Sequence, residues 1–164
     1  LHIVPHGMDL GMTAPAAAVL ITSMGAASIF GRLVVGAFAD KIGGRNAYVL
    51  CLTPVIIGLC LLIVVREPWL ILLVMALYGF GHGGLFTVVS PTVAEMFGMR
   101  AHGAIFGVVL FCGTIGGAIG PVVAGWVFDV TGGYDFAFAG LAVLALLCLL
   151  LGLTLPGRHA PGRY

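Results

Sequence analysis

The chain has 164 residues, of which 61% are hydrophobic and 8% charged, and its net charge is +1. Soluble domains carry about 25% charged residues, so a fold this apolar cannot present a polar surface to water on every side, and lipid must be its outer solvent. The near-zero net charge, with no run of Lys or Arg, excludes an electrostatic grip on nucleic acid.

The few charges divide the chain into uncharged stretches at 10–31, 46–65, 68–94, 101–128 and 136–157. A helix rises about 1.5 Å per residue, so roughly 20 apolar residues cross a hydrocarbon core of about 30 Å. In lipid the backbone must satisfy its own hydrogen bonds, and helices do so within one segment. The pattern predicts an all-α membrane protein with transmembrane helices near 13–38, 47–65, 69–95, 103–128 and 136–156.

Ahead of the first span, Leu1-His2-Ile3-Val4-Pro5 reads as the tail of an earlier helix, with residues 1–8 closing it. The chain opens without an initiator methionine and shows no signal peptide, so it is expected to be part of a longer protein. His2, His6 and Asp9 have spacings that suggest a metal. Pro5 and Gly7 are expected to spoil the helix that would align them, and no metal site is predicted.

The first span carries Arg32, eight residues before Asp40 and so roughly 12 Å deep along a helix. A cation there must face a cavity, pair, or snorkel to the interface. The third span places His82 in Gly79-Phe80-Gly81-His82-Gly83-Gly84. Four glycines leave room for a ligand, a water or a neighbouring backbone. The imidazole suits either a coupling proton or a neutral helix–helix hydrogen bond.

Ser90 lies eight residues from His82, roughly 12 Å along the axis, so the two cannot form a nucleophile–base pair. No acid lies inside any span, and an enzyme is not expected. The fourth span is studded with glycine, including Gly113, Gly116, Gly117 and Gly120 followed by Pro121. That spacing predicts close helix packing and a bend. The Leu-rich last span reads as a peripheral, lipid-facing helix. Cys51, Cys60, Cys112 and Cys148 all fall in apolar runs and read as small buried hydrophobes.

Five crossings place Lys41, Arg45, Arg100, Arg158 and Arg163 on one side and only Arg66 on the other. The positive-inside bias puts the first side in the cytoplasm. The chain then starts outside and ends inside a multi-pass cell (inner or plasma) membrane protein. Glu95 and Arg100 flank the second cytoplasmic turn, where an ion pair of Glu95 with Lys41 or Arg45 is expected.

Gly31-Arg32-Leu33-Val34-Val35-Gly36-Ala37-Phe38-Ala39-Asp40-Lys41-Ile42-Gly43-Gly44-Arg45 resembles the signature loop of the major facilitator superfamily, G-x-x-x-D-(R/K)-x-G-x-(R/K). Gly36 allows a neighbouring helix to approach and Gly43 a tight turn. Asp40 can meet a helix N-terminus, and Lys41 and Arg45 can meet acids or lipid phosphates. Gly44 departs from the family, which usually has a second Arg there. The stretches Ser90–Arg100 and Gly116–Asp129 also look like this superfamily.

The resemblance implies that the spans are helices eight to twelve of a twelve-helix transporter. Residues 1–164 would then form its C-terminal half, with the N-terminal half of the same chain absent. It also implies that Gly36, Asp40, Lys41, Gly43, Arg45, Glu95 and Arg100 gate the cytoplasmic side. His6–Met12 leading into Ser28-x-x-Gly31-Arg32 is similar to the monocarboxylate transporter and oxalate/formate antiporter branch, in which the eighth-helix Arg binds the substrate carboxylate. Arg32 matches that position. Ser28 stands where the monocarboxylate transporters often have Asp, and residues 101–128 lack the Lys expected of an oxalate antiporter.

The expected function is secondary active transport of a small, monocarboxylate-like organic anion by alternating access, with Arg32, Ser28 and His82 binding substrate. A coupling proton or counter-anion is expected in place of a cofactor. A major facilitator carrier of drugs or sugars is the alternative; an intramembrane enzyme or a scaffold fits less well.

Overall fold

The computed structural model describes residues 2–155. Among them are six helices: α1 (Ile3–Asp9), α2 (Ala14–Ile42), α3 (Gly44–Val64), α4 (Pro68–Phe97), α5 (His102–Thr131) and α6 (Asp135–Leu153). Five are long and apolar enough to cross a membrane; α1, at seven residues, is not. Arg158 and Arg163, counted in the charge asymmetry, lie outside the described residues, as does the last residue of the span expected at 136–156.

The helix starts follow from local chemistry. Pro15 is the second residue of α2 and Pro68 the first of α4, where a missing N–H costs no intrahelical bond. The helix over Ile3–Asp9 corrects the expectation that Pro5 and Gly7 would break this segment. Pro5 is the third helical residue, and the N–H of that position has no partner inside a helix.

The first span also runs further than expected, to Ile42. Gly43 alone separates α2 from α3, at φ +82°. A side chain is strained in that region and glycine is not, so the reversal needs only one residue. The glycines that follow α4 and α5, Gly98 and Gly132, end their helices with the same sign of φ. Pro54, Pro91 and Pro121 sit inside continuous helices.

The centre of the bundle is α4, which packs along α2 on one side and α3 on the other; α6 lies against α3. One core cluster gathers Leu20, Leu59, Ile71 and Phe138 near the α1 end, and another gathers Val35, Ala39, Cys51 and Val88 toward the loop after α2. Glycine in α4 sets how closely the helices approach. A Cβ on Gly79 would strike the Met24 backbone, one on Gly83 the Ser28 carbonyl, and one on Gly81 the Cys51 carbonyl. Gly31 of α2 returns the contact against Phe80. Between helices in lipid the attraction comes from van der Waals packing, which small residues strengthen by letting backbones touch.

The glycine-rich span behaves differently from expectation. No residue of α5 is buried, and a Cβ on Gly113, Gly116, Gly117 or Gly120 would meet nothing within 4 Å. Within this chain the close packing is made by the glycines of α4. The contacts of α5 are few: Ser90 of α4 holds His102 at its start, and His2 reaches Pro121 in its second half. The last span packs one face on α3, where Tyr48 meets Gly152 and the Cys148 carbonyl.

Candidate functional site

The helical period sorts the middle of α4 into three faces. Gly79 and Gly83 turn toward α2, Gly81 turns toward α3, and Gly84 sits between Cys51 of α3 and Val35 of α2. The four glycines around His82 are therefore spent on neighbouring helices, three of them on backbone. The remaining face carries Tyr78, His82 and Phe86 at intervals of four residues, which stacks them along one line. His82 lies 5.6 Å from Tyr78, nearly parallel, and 5.1 Å from Phe86, edge to face.

Arg32 joins this face from α2. Its guanidinium lies over the Phe86 ring at 5.6 Å from the centroid. Among the described residues no carboxylate stands within ion-pair distance of it. A cation over an aromatic face gains about 0.5–2 kcal/mol, far less than a bidentate carboxylate would add in a dry site. The arrangement is an exposed guanidinium beside an imidazole, with one unmatched positive charge.

Ser28, expected beside Arg32, lies one turn earlier and is buried at the α2–α4 contact. An added Cβ on Gly83 would fall 2.6 Å from its hydroxyl oxygen. It shares the helix with Arg32 but points at a backbone. Tyr78 and Phe86 were missed in the sequence, although their i±4 spacing about His82 was legible there.

The loop after α2 is organised by an acid from α4. Gly44 donates its N–H to Glu95 Oε2 at 2.9 Å, so a carboxylate caps the positive end of α3. Glu95 is thus an acid that meets a helix N-terminus at this corner. This contact takes the place of the ion pair with Lys41 or Arg45 expected for Glu95. Gly44 explains its own departure from the familiar pattern: a Cβ there would lie 2.6 Å from Thr92 Oγ1 and 2.9 Å from Glu95 Oε2.

Gly36 faces Thr87. Asp40 and Lys41 close the last turns of α2, Lys41 with its ammonium 5.6 Å from the Phe38 ring centroid. Arg45 begins α3, and exposed Arg100 sits in the α4–α5 turn. Ser90 is bound to His102, its hydroxyl 3.2 Å from Nε2, a pairing that only the fold brings together.

The opposite end, where α1 lies, holds a second polar group. His2 donates Nε2–H to the Pro121 carbonyl at 2.9 Å, and its Nδ1 lies 3.2 Å from the Tyr134 hydroxyl. These contacts fix the orientation of an imidazole that sequence spacing had suggested for a metal. Arg66 and Asp135 pair at 2.7 Å, both nearly half exposed. Burial, then Asp9 and Asp129, raise the Tyr134 phenol above its ordinary range.

Known proteins resemble this chain along nearly its whole length. The model of the Major Facilitator Superfamily matches residues 3–163. The chain belongs to that superfamily. It is 32% identical over 160 residues to monocarboxylate transporter 13 of Rattus norvegicus, covering 95% of this chain and 37% of the relative. It is 31% identical over 159 residues to monocarboxylate transporter 7 of Homo sapiens, covering 92% and 30%. It is also 29% identical over 153 residues to the sialic acid transporter NanX of Escherichia coli (strain K12), covering 92% and 38%. The chain spans about a third of the length of these relatives. It is a membrane protein of a transporter family and not an enzyme.

Proposed function

We propose that this chain is the C-terminal half of a secondary transporter that moves a small carboxylate by alternating access, and that Arg32 receives the carboxylate. The observation that carries the reading is the unmatched guanidinium parked over Phe86 on the same face as His82. A planar fork of N–H donors suits a carboxylate better than any neutral solute. The relatives carry names that agree in chemistry: monocarboxylates and sialic acid each present one carboxylate. One cation for one carboxylate favours monocarboxylates over dicarboxylates.

In this reading α2 to α6 are helices eight to twelve. The uncovered face of α5 packs against the other half, and substrate sits between the halves near the midplane. His82 hydrogen-bonds the substrate or carries a coupling proton, and Ser28 holds α2 against α4 so that Arg32 is presented. The end with Lys41, Arg45 and Arg100 is cytoplasmic, and the end with Arg66 is outside. The loop after α2 holds the cytoplasmic side closed in one state.

The test is uptake by the full-length protein in proteoliposomes. A monocarboxylate should accumulate, and Arg32→Gln should reduce uptake by at least about a hundredfold, as expected for a lost charged hydrogen bond in a dry site. Wild-type affinity in a correctly inserted Gln variant would show that Arg32 only snorkels.

A further inference from the structure

The α1 end contains an imidazole that the carboxylate face does not use. His6 is only 3% exposed, and its Nε2 has no hydrogen-bond partner among the described residues. Its ring stands edge to face with Tyr134 at 5.9 Å and with Phe138 at 5.0 Å. Next to it, Gly7 lies against Ala17 and Leu20 of α2. His6 is thus closed in by apolar and aromatic groups, with one ring nitrogen unmet. We propose that His6 is the trigger of a proton-operated latch, in which a proton taken up from the medium at the α1 end releases α1 from the Tyr134–Phe138 corner and opens that mouth.

Neutral histidine tolerates the enclosure at the cost of one unmet ring nitrogen. Imidazolium carries two N–H donors, and in the closed arrangement the one at Nε2 would be a buried charged donor with no acceptor, which is far more costly. The protonated form is therefore favoured where water reaches the ring, and the closed form where the ring is neutral. A ligand with different affinity for two states shifts their populations, and here the ligand is a proton.

The groups facing His6 divide. Burial and Arg66 of the α3–α4 turn oppose a positive charge on the ring, whereas Asp135 of the α5–α6 corner and Asp9 at the end of α1 favour one, and the first pair outweighs the second in the closed arrangement. Asp135 is already committed to Arg66 at 2.7 Å. Tyr134 and, one turn earlier in the chain, His2 complete the polar neighbours, and the α2 residues beside Gly7, Ala17 and Leu20, carry no charge.

His2 makes a different contact: its Nε2–H donates to the Pro121 carbonyl of α5, away from the Tyr134–Phe138 corner. The start of α1 stays tied to α5 while the His6 turn swings. The latch rests on the transporter reading for its purpose but not for its detection.

The test uses spin labels on the full-length protein in liposomes, with native cysteines replaced and labels at Met8→Cys and Phe136→Cys, both exposed positions. Distances by electron double resonance do not depend on substrate. Between about pH 7.5 and about pH 5.5, which bracket the ordinary histidine range, the ratio of long to short distances should rise at least about fivefold. His6→Gln and His6→Phe, neither of which titrates there, should flatten the response. His2→Gln should raise the long-distance population at both pH values and leave the pH response intact. A wild-type distribution that does not change with pH overturns the latch, as does a His6 variant that responds like wild type. Failure of carboxylate uptake alone would count against the substrate and leave the latch standing.

Discussion

Arg32 shows how one side chain's value depends on its neighbours. Over Phe86 the guanidinium is held by a weak contact that a carboxylate can displace. Arg32→Lys keeps the charge and loses the fork; uptake should fall at least about tenfold with the protein still inserted, read as a rise in half-saturation concentration. Gly83 is a purely steric case. A methyl group there would collide with the Ser28 carbonyl, so Gly83→Ala should destabilise the full-length protein by about 1–3 kcal/mol, the usual cost of overpacking. Thermal unfolding in detergent measures it, and an unchanged midpoint would show that α2 and α4 can separate freely. The Arg66–Asp135 pair is half in solvent, so Arg66→Ala should cost less than about 1 kcal/mol.

At the scale of elements, the α2–α3 corner is a one-residue hinge with an acid-capped helix behind it. Glu95 reaches the Gly44 N–H from α4, so opening this end must either carry α4 along or break the cap. Glu95→Ala removes the acceptor and leaves the first turn of α3 without its carboxylate. A charge at a helix start contributes about 0.3–1 kcal/mol, enough to shift a balanced two-state equilibrium a few-fold. Accessibility of a cysteine placed in the α4–α5 turn should rise a few-fold in that variant, and also in Asp40→Asn. Identical accessibility in all three proteins would remove the corner from the gate. Gly44→Arg, closer to the usual superfamily residue, is expected to be worse than Glu95→Ala because its Cβ overlaps Thr92 and Glu95.

At the scale of the molecule, the uneven burial is the main fact. α4 is wrapped on two sides while α5 buries nothing, although both are 30 residues long. A bundle of this kind is held by van der Waals packing, because lipid is as apolar as the side chains. The 164-residue chain alone should therefore melt broadly and without cooperativity in mild detergent, with α5 the first element to exchange its amide hydrogens. A sharp, cooperative melt of a monodisperse sample would show that α5 needs no further partner.

The local properties of the chain were legible in its sequence. Five spans, their order and the turns between them follow from the length of uncharged runs and from glycine and proline placement, because lipid crossing is a property of each segment by itself. The superfamily was legible for the same reason: its signature is a short contiguous loop. What each helix face meets was decided by tertiary structure alone. Nothing in the spacing of His82 tells that its glycines serve two different neighbours, that Ser28 points into a backbone, or that Ser90 belongs to His102. Periodicity assigns residues to faces, but contact between faces depends on which helices pack and how deeply, and that is a property of the assembled bundle. The glycine-rich span is the clearest case. Its sequence announces a close partner, and the fold shows that the described residues do not supply one.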